Sequence, residues 1–528
     1  MKTLLLLLSL LGLPGFQEAV LILSGASCLE ELSEDEIEHY QTLASHPVDL
    51  NLAGRGRLLA TGLLSPFQVA SLLDYRSRGG EVLSWTELSL VDGFSPAFVD
   101  ALRVFAVLGT GGTPPGQPES RQLSAVVTLR GGARSDGDTS WGIKGEFSSG
   151  DRAVLYASLR KTYEEKTLHT PTLSAAWYGR RALARVVVGH FNARFGQGLV
   201  QWSGFQLSAF SALGAFSRNG TGFSPTGSSA PSLMGIAADW QFGPWSLSTA
   251  YSLTGNRPIA NLTRVWRGVT AGVTATNEAA SLETRISRPD WSLFGEGAIT
   301  YRGRFSMLAG AYYVPEYGRK AGVLGRWYGL DDKRYSGLAA GYETAAFSLT
   351  ADMGWRTDSG TAQYKAVARW HPEGAWRSVR FLPDVRLQAR LRPDDKAPLR
   401  AQARAEISAE YGIWILSGRC DALFCRDFAW YWHTELGRKT ESFACYLRGG
   451  LFRVDNWDDR IYVYERDAPG TFTVPARYGR GWHASLYAVW KADRHHSLWL
   501  RLETVQYPWN LTEKTGRSAV RLQYRYKL

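Results

Sequence analysis

From Leu399 to Tyr411 the chain alternates. Leu399, Ala401, Ala403, Ala405, Ile407, Ala409 and Tyr411 are apolar; Arg400, Gln402, Arg404, Glu406, Ser408 and Glu410 between them are polar. A period of two sorts the two sets onto opposite faces of a β-strand, which no helix can do. The same period runs through 245–253, 385–392 and 520–528. Such runs exceed the five or six residues usual in soluble sheets and match the roughly 9–11 residues of a tilted bilayer crossing. Turn-rich pieces at 148–151, 287–290 and 392–395 separate them. The fold predicted for 121–528 is therefore one large antiparallel transmembrane β-barrel. At about 18–20 residues per strand and connection it would hold roughly 20–24 strands, an even number. Its apolar face would meet lipid. Its polar face, including Arg386, Arg390, Arg400, Arg404 and Glu406, would line the lumen. Trp240, Trp245, Trp490, Trp499 and Tyr507 suit interfacial girdles. The closing strand, with Tyr524, Tyr526 and Leu528 on one face, is similar to the terminal signal of outer-membrane barrels.

The first part of the chain changes period. Ser33 with Glu36, and Ser84 with Glu87, form capping boxes. Ser65-Pro66 and Ser95-Pro96 each place an N-cap before a proline at the first helical position. Phe67, Val69, Ala70, Leu72 and Leu73 recur at helical spacing until Gly79-Gly80. A small all-α domain is expected over 29–108. Ahead of it, Met1-Lys2, a leucine run over 3–13, Pro14-Gly15 and small residues near Ala19 and Ala26 have the layout of a signal peptide, assigned to 1–26. The alternative is a spanning anchor, and Cys28 after Gly25-Ala26-Ser27 leaves lipidation open. A Gly/Thr/Pro linker covers 109–120.

Composition and charge narrow the classes. Among 528 residues there are 55 Gly, 20 Trp, 24 Tyr and four Cys. That excludes a disordered chain and a disulfide scaffold. No apolar run beyond the first thirty residues is long enough for a spanning helix. The domain at 29–108 holds 12 Asp+Glu and 5 Lys+Arg, a net of −7, whereas 109–528 has a net of +18. The basic side chains are 48 Arg and 12 Lys. In a lumen, Arg forks would pair with carboxylates; Glu283 with Arg285, and Arg404 with Glu406, are candidates. A stapled, water-filled interior is one reading, and an anion-favouring passage or basic docking surface the other.

The doubled phrase of helix, tight turn, Ser-Pro and helix resembles the tandem helix-hairpin-helix module of the competence-protein type. The resemblance spans 48–107 and rests on Val48-Asp-Leu-Asn51, Asp74-Tyr75-Arg76, Gly80, 84–88 and Val91-Asp-Gly-Phe94. In DNA-binding members each turn reads Gly-hydrophobic-Gly and its amides grip a phosphate. Here the turns read Leu63-Leu64-Ser65 and Gly93-Phe94-Ser95, so three of four glycines are gone. The module is acidic, and only Arg55, Arg57, Arg76 and Arg78 could form a basic patch. Packing or partner binding is therefore favoured over DNA contact. The segments 188–200, 455–465 and 478–481 resemble motifs of large Bacteroidetes-type barrels preceded by a helix-hairpin-helix head. That family implies an architecture without an assigned chemistry. Gly196 and Gly198 suggest a kink or close approach in a strand, and Arg460 a loop anchor.

Catalytic signals are sparse. His495-His496 point to opposite faces of a strand, and nothing pairs His190, His433 or His483 with a nucleophile. No metalloprotease, Walker or nucleophile-elbow motif occurs. No enzyme, cofactor or metal is expected. Cys420 and Cys425 could form a disulfide, with Cys445 as a competing partner and free thiols as the alternative. The expected function is a channel, transport or envelope-assembly component of the outer membrane. Its partners would be lipid and a periplasmic or outer-membrane protein docked on the periplasmic helical domain. The alternative is a DNA-uptake receptor.

Overall fold

The computed structural model describes residues 15–109 and 123–528, except 151, 180, 205–209, 229–232, 317, 331–333 and 511–512. The leucine run of the signal peptide and most of the linker lie outside the described residues.

Between Leu123 and Lys527 each alternating segment pairs antiparallel with the next. The last, Arg517–Lys527, closes on the first, Leu123–Arg134. Thr361–Trp370 and Gly374–Trp376 share one position around the wall, as do Gly222–Pro225 and Leu233–Phe242. The result is a closed barrel of 24 staves. Closure leaves no sheet edge whose amides would be unpaired in lipid. Leu399–Tyr411 is a single strand over the alternating run, and its partner across the wall is Val379–Leu391. Leu387, Leu399, Ile407 and Leu416 project outward, while Arg386, Arg419 and Asp421 are buried inside.

Trp245 and Trp490 stand on the outer surface. Trp499 does not: it is 7% exposed and shares the inner face with Arg501. It lies an odd number of steps from outward-facing Leu502, so the pleat turns it into the lumen. Tyr507 likewise packs inside, on Phe452 at 5.8 Å. These two residues leave the predicted girdle.

At the barrel end carrying residues 123 and 528 the connections are short, as at 243–244, 267–268 and 345–346. At the opposite end two connections, 195–221 and 455–478, are long, and their described residues fold into the lumen. Gly196 and Gly198, expected within a strand, follow Leu183–Arg194 and open the first of these loops, with φ of 60° and 91°. A Cβ on Gly196 would meet the Glu296 carboxylate at 2.8 Å, so the close approach is real but belongs to the loop.

The N-terminal head comprises α1 (Phe16–Ser24), α2 (Glu34–Ser45), α3 (Arg55–Ala60), α4 (Pro66–Gly79), α5 (Trp85–Leu88) and α6 (Pro96–Leu102). Capping boxes at Ser33, Ser65 and Ser84 start α2, α4 and α5. The Ser95 hydroxyl accepts from the Phe98 amide to start α6. Asn51 ties the two halves by donating to the Val82 carbonyl and accepting from its amide, at 3.0 and 2.9 Å. The core gathers Leu50, Leu58, Leu72, Leu88, Leu102 and Phe105. Ala19 and Val20 of α1 are also buried in it, so a segment that the signal-peptide reading would remove packs on the head. The head sits inside the barrel mouth, at the end with the short turns.

Candidate functional site

The acidic head lies within the basic barrel, and carboxylates of one meet guanidinium groups of the other. On the wall, Arg404 stands opposite Asp421 across the strand pair, and Arg419 stands opposite Glu406. Asp421 is fully buried and accepts from Nε of both arginines, at 3.2 Å from Arg404 and 2.6 Å from Arg419. That leaves Nη1 of each aimed at the head. Both donate to Glu30, Arg404 at 3.2 Å and Arg419 at 2.6 Å. Burial would raise the Glu30 carboxyl, but Arg404 and Arg419 outweigh it and hold it well below the usual carboxylate range.

Two further contacts repeat the arrangement. Glu31 accepts from Arg386 at 2.9 Å and lies 4.0 Å from Lys365. Arg386 also reaches the Cys28 sulfur at 2.6 Å. Glu38 of α2 accepts from Lys144 at 2.6 Å, with Arg130 at 3.9 Å. In both carboxylates burial is again the largest influence, and the facing cations reverse it, so both are lowered.

Close packing completes the seat. A Cβ on Gly56 of α3 would stand 2.4 Å from the Ala184 carbonyl oxygen of the wall. Ala60 joins a cluster with Val187, Phe191 and Phe223 of the barrel. Beside it, α2 carries His39, whose Nε2 lies 2.6 Å from the Thr61 carbonyl. Burial pushes this imidazole down to about 4.

The candidate hairpin residues take other roles. Leu63, Leu64, Ser65 and Phe94 are buried in the head. The Leu63, Ser65 and Phe94 amides donate within it, to Thr61 Oγ1, Gln68 Oε1 and the Val91 carbonyl. The Gly93 carbonyl accepts from Gln68, and the Ser95 hydroxyl caps α6. The four arginines do not converge. Arg55 donates to Ser246 of the barrel at 3.0 Å, and Arg57 lies over the Tyr178 ring. Arg76 donates to the Ala53 carbonyl, and Arg78 pairs with Asp74.

The five lumen candidates occupy the inner face, but only two reach the head. Arg386 and Arg404 bind Glu31 and Glu30. Arg400 donates to the Asp458 and Arg460 carbonyls of the second inward loop, and Arg390 lies 3.5 Å from Asp395. Glu406 lines a cleft of about 2690 Å³ between the head and the wall. The predicted partner of Arg404 was Glu406; Asp421 and Glu30 take that place, being directly opposite and directly in front. Arg285 turns from Glu283 to the Ser217 hydroxyl and Arg218 carbonyl, at 2.6 and 2.5 Å.

Acidic side chains of the wall also pin the inward loops. Glu296 accepts from the amides of Gln197 and Leu199. Asp352 accepts from the Phe210 amide and from Arg326. In the other loop, Glu465 is paired with Arg477 and Arg501. Arg460 binds Tyr462 and the Trp457 carbonyl, whereas Asp459 is the anchor, accepting from the Arg426 and Asp427 amides. His433 and His483 pack around Tyr431, whose hydroxyl lies 3.0 Å from His483 Nε2. His190 contacts the Leu173 backbone.

Cys420 and Cys425 are free thiols, as are Cys28 and Cys445. Cys420 lies on the exposed outer face of Trp414–Phe424, and Cys425 lies an odd number of residues on, past the strand end.

No family model matches the chain, and no curated protein matches it. Solved structures similar to it include OccK5 (OpdH) of Pseudomonas aeruginosa, at 7% identity over 77% of this chain and 97% of that one, TM-score 0.35. OpdK of Pseudomonas aeruginosa with vanillate gives 8% identity over 77% and 98%, TM-score 0.33. The translocation pore of the P pilus usher, PapC, gives 9% over 77% and 99%, TM-score 0.33.

Proposed function

We propose that this protein is an outer-membrane channel closed at rest by its own N-terminal head and two inward loops. The observation that carries the reading is Glu30, held between Arg404 and Arg419 inside the barrel. Such a pair loses its hydration on both sides, so removing one partner strands a buried charge. The short-turn end, where the head sits, faces the periplasm by the usual disposition of such barrels. The head is a helix-hairpin-helix module of the Bacteroidetes-type barrels, turned from nucleic acid to lumen closure. The Leu63, Ser65 and Phe94 amides are already used internally and two of its arginines face the wall, so the DNA-uptake alternative draws no support from the site. Leu83 and Leu90, 71% and 82% exposed on the head, offer a handle for a partner.

Planar-bilayer recording tests this. Wild-type protein is expected to open rarely and the full-length E30Q/E31Q variant often. Equal conductance in the two would sink the reading.

A further inference from the structure

We infer that the arginine cradle now filled by Glu30 and Glu31 is the ligand site of the open lumen, and that its ligand is an acidic peptide segment. The inference rests on the head being a displaceable closure.

The cradle is built independently of its occupant. Asp421 fixes Arg404 and Arg419 through their Nε edges, and Gln402 donates to the same carboxylate at 2.9 Å. Two outward Nη1 groups therefore keep their aim when Glu30 leaves. Arg386 and Lys365 extend the cationic surface beside them. Four cations then face Asp421 and Glu406, an excess of positive charge on that part of the lumen wall. Guanidinium forks favour planar carboxylates.

The cleft carries a second, separate observation. Of the charged residues lining it, the head supplies seven acidic and two basic, and the barrel and its loops supply fourteen basic and seven acidic. The head surface is thus the complement of the wall, and leaving the lumen would bare a wall with twice as many cations as anions. What the wall now accepts is a peptide with closely spaced carboxylates, Glu30-Glu31 and then Glu38, with Glu34 at 3.8 Å from Arg160. A cargo or partner with closely spaced Asp and Glu would reproduce those contacts. The head then acts as an internal competitor for the cargo site.

The test measures binding and current separately in the full chain. Fluorescent poly-L-glutamate is titrated against detergent-solubilised wild type and E30Q/E31Q by anisotropy. E30Q/E31Q is expected to bind at least about tenfold more tightly than wild type, and adding R404Q/R419Q should remove that gain, because charge-assisted bonds are each worth more than a decade in affinity. If R404Q/R419Q does not fold, R386Q, which leaves the Asp421 cluster intact, serves the same comparison. No binding by E30Q/E31Q, or binding indifferent to the cradle variants, overturns the inference. Duplex DNA binding as tightly as poly-glutamate overturns the peptide class. Absence of current in E30Q/E31Q with binding intact overturns the channel reading alone.

Discussion

Glu30 and Arg419 stand 389 positions apart and meet at 2.6 Å inside the barrel. The contact joins the N-terminal head to the barrel wall. It uses the Arg419 edge that Asp421 leaves free. Replacing Glu30 with Gln keeps the shape and removes the charge. Breaking a buried pair in this way costs about 3–5 kcal/mol. E30Q is therefore expected to weaken seating of the head by about 3 kcal/mol while the barrel stays folded. Hydrogen exchange checks this: protection should fall over 15–109 and hold over the strands. Unchanged protection in the head would refute it.

Acid should release the head in two stages. Glu30, Glu31 and Glu38 are all lowered from 4.5 in the seated state. A lowered carboxyl contributes stability that is complete above 4.5 and is lost as pH falls through the seated value. His39 is lowered from 6.5 to about 4, so its neutral form is favoured. That contribution is complete above 6.5 and drains away between 6.5 and about 4. Head protection should thus decline first below 6.5 and again below 4.5. Burial, with Lys527 and Arg525 of the barrel, likewise pushes His46 of the head down to about 4, so H39Q/H46Q should erase the upper stage and spare the lower. A head more protected at pH 4 than at pH 7 would contradict both signs.

Much of this was legible because strand and cap signals are local. Leu399–Tyr411 declares its period within itself, and Ser33 needs only Glu36, three residues on, to start α2. Trp499 shows the limit of reading residue type without phase: an aromatic suits a girdle, but the pleat put it beside Arg501. The seating of the head was hidden for a different reason. Glu30, Glu31, Glu38, Lys144 and Arg419 carry no motif, and their partners lie 106 to 389 positions away. One signal did point there. A net of −7 in 29–108 against +18 in the rest is electrostatic complementarity, and it argues for contact between the parts as well as against DNA.

Gly56 separates seating from folding. It lies in α3, where alanine is about 1 kcal/mol the better helix former. Yet its added Cβ would meet the Ala184 carbonyl at 2.4 Å, a backbone atom of the wall that cannot swing aside. Overpacking of this kind costs about 1–3 kcal/mol. G56A should leave the head folded and shift it from the wall, raising single-channel open probability. A variant with wild-type open probability would show that the wall yields.

Cys28 reports on the seated state directly. Its thiol is buried against Arg386, and burial pushes it up to about 11 despite that neighbour. At pH 7 almost no thiolate forms there, and the thiolate is the reactive species. Maleimide should spare Cys28 in the folded wild type while labelling it in the urea-unfolded chain. A loss of about 3 kcal/mol of seating raises the released fraction by roughly a hundredfold. E30Q/E31Q should therefore label Cys28 about a hundredfold faster in the same window. Intact mass of the purified chain comes first, because an acyl group on that sulfur would have to abandon the Arg386 contact and would block the reagent. An unacylated Cys28 that labels as fast in folded wild type as in the urea-unfolded chain would mean that the head does not rest where Glu30 and Arg419 meet.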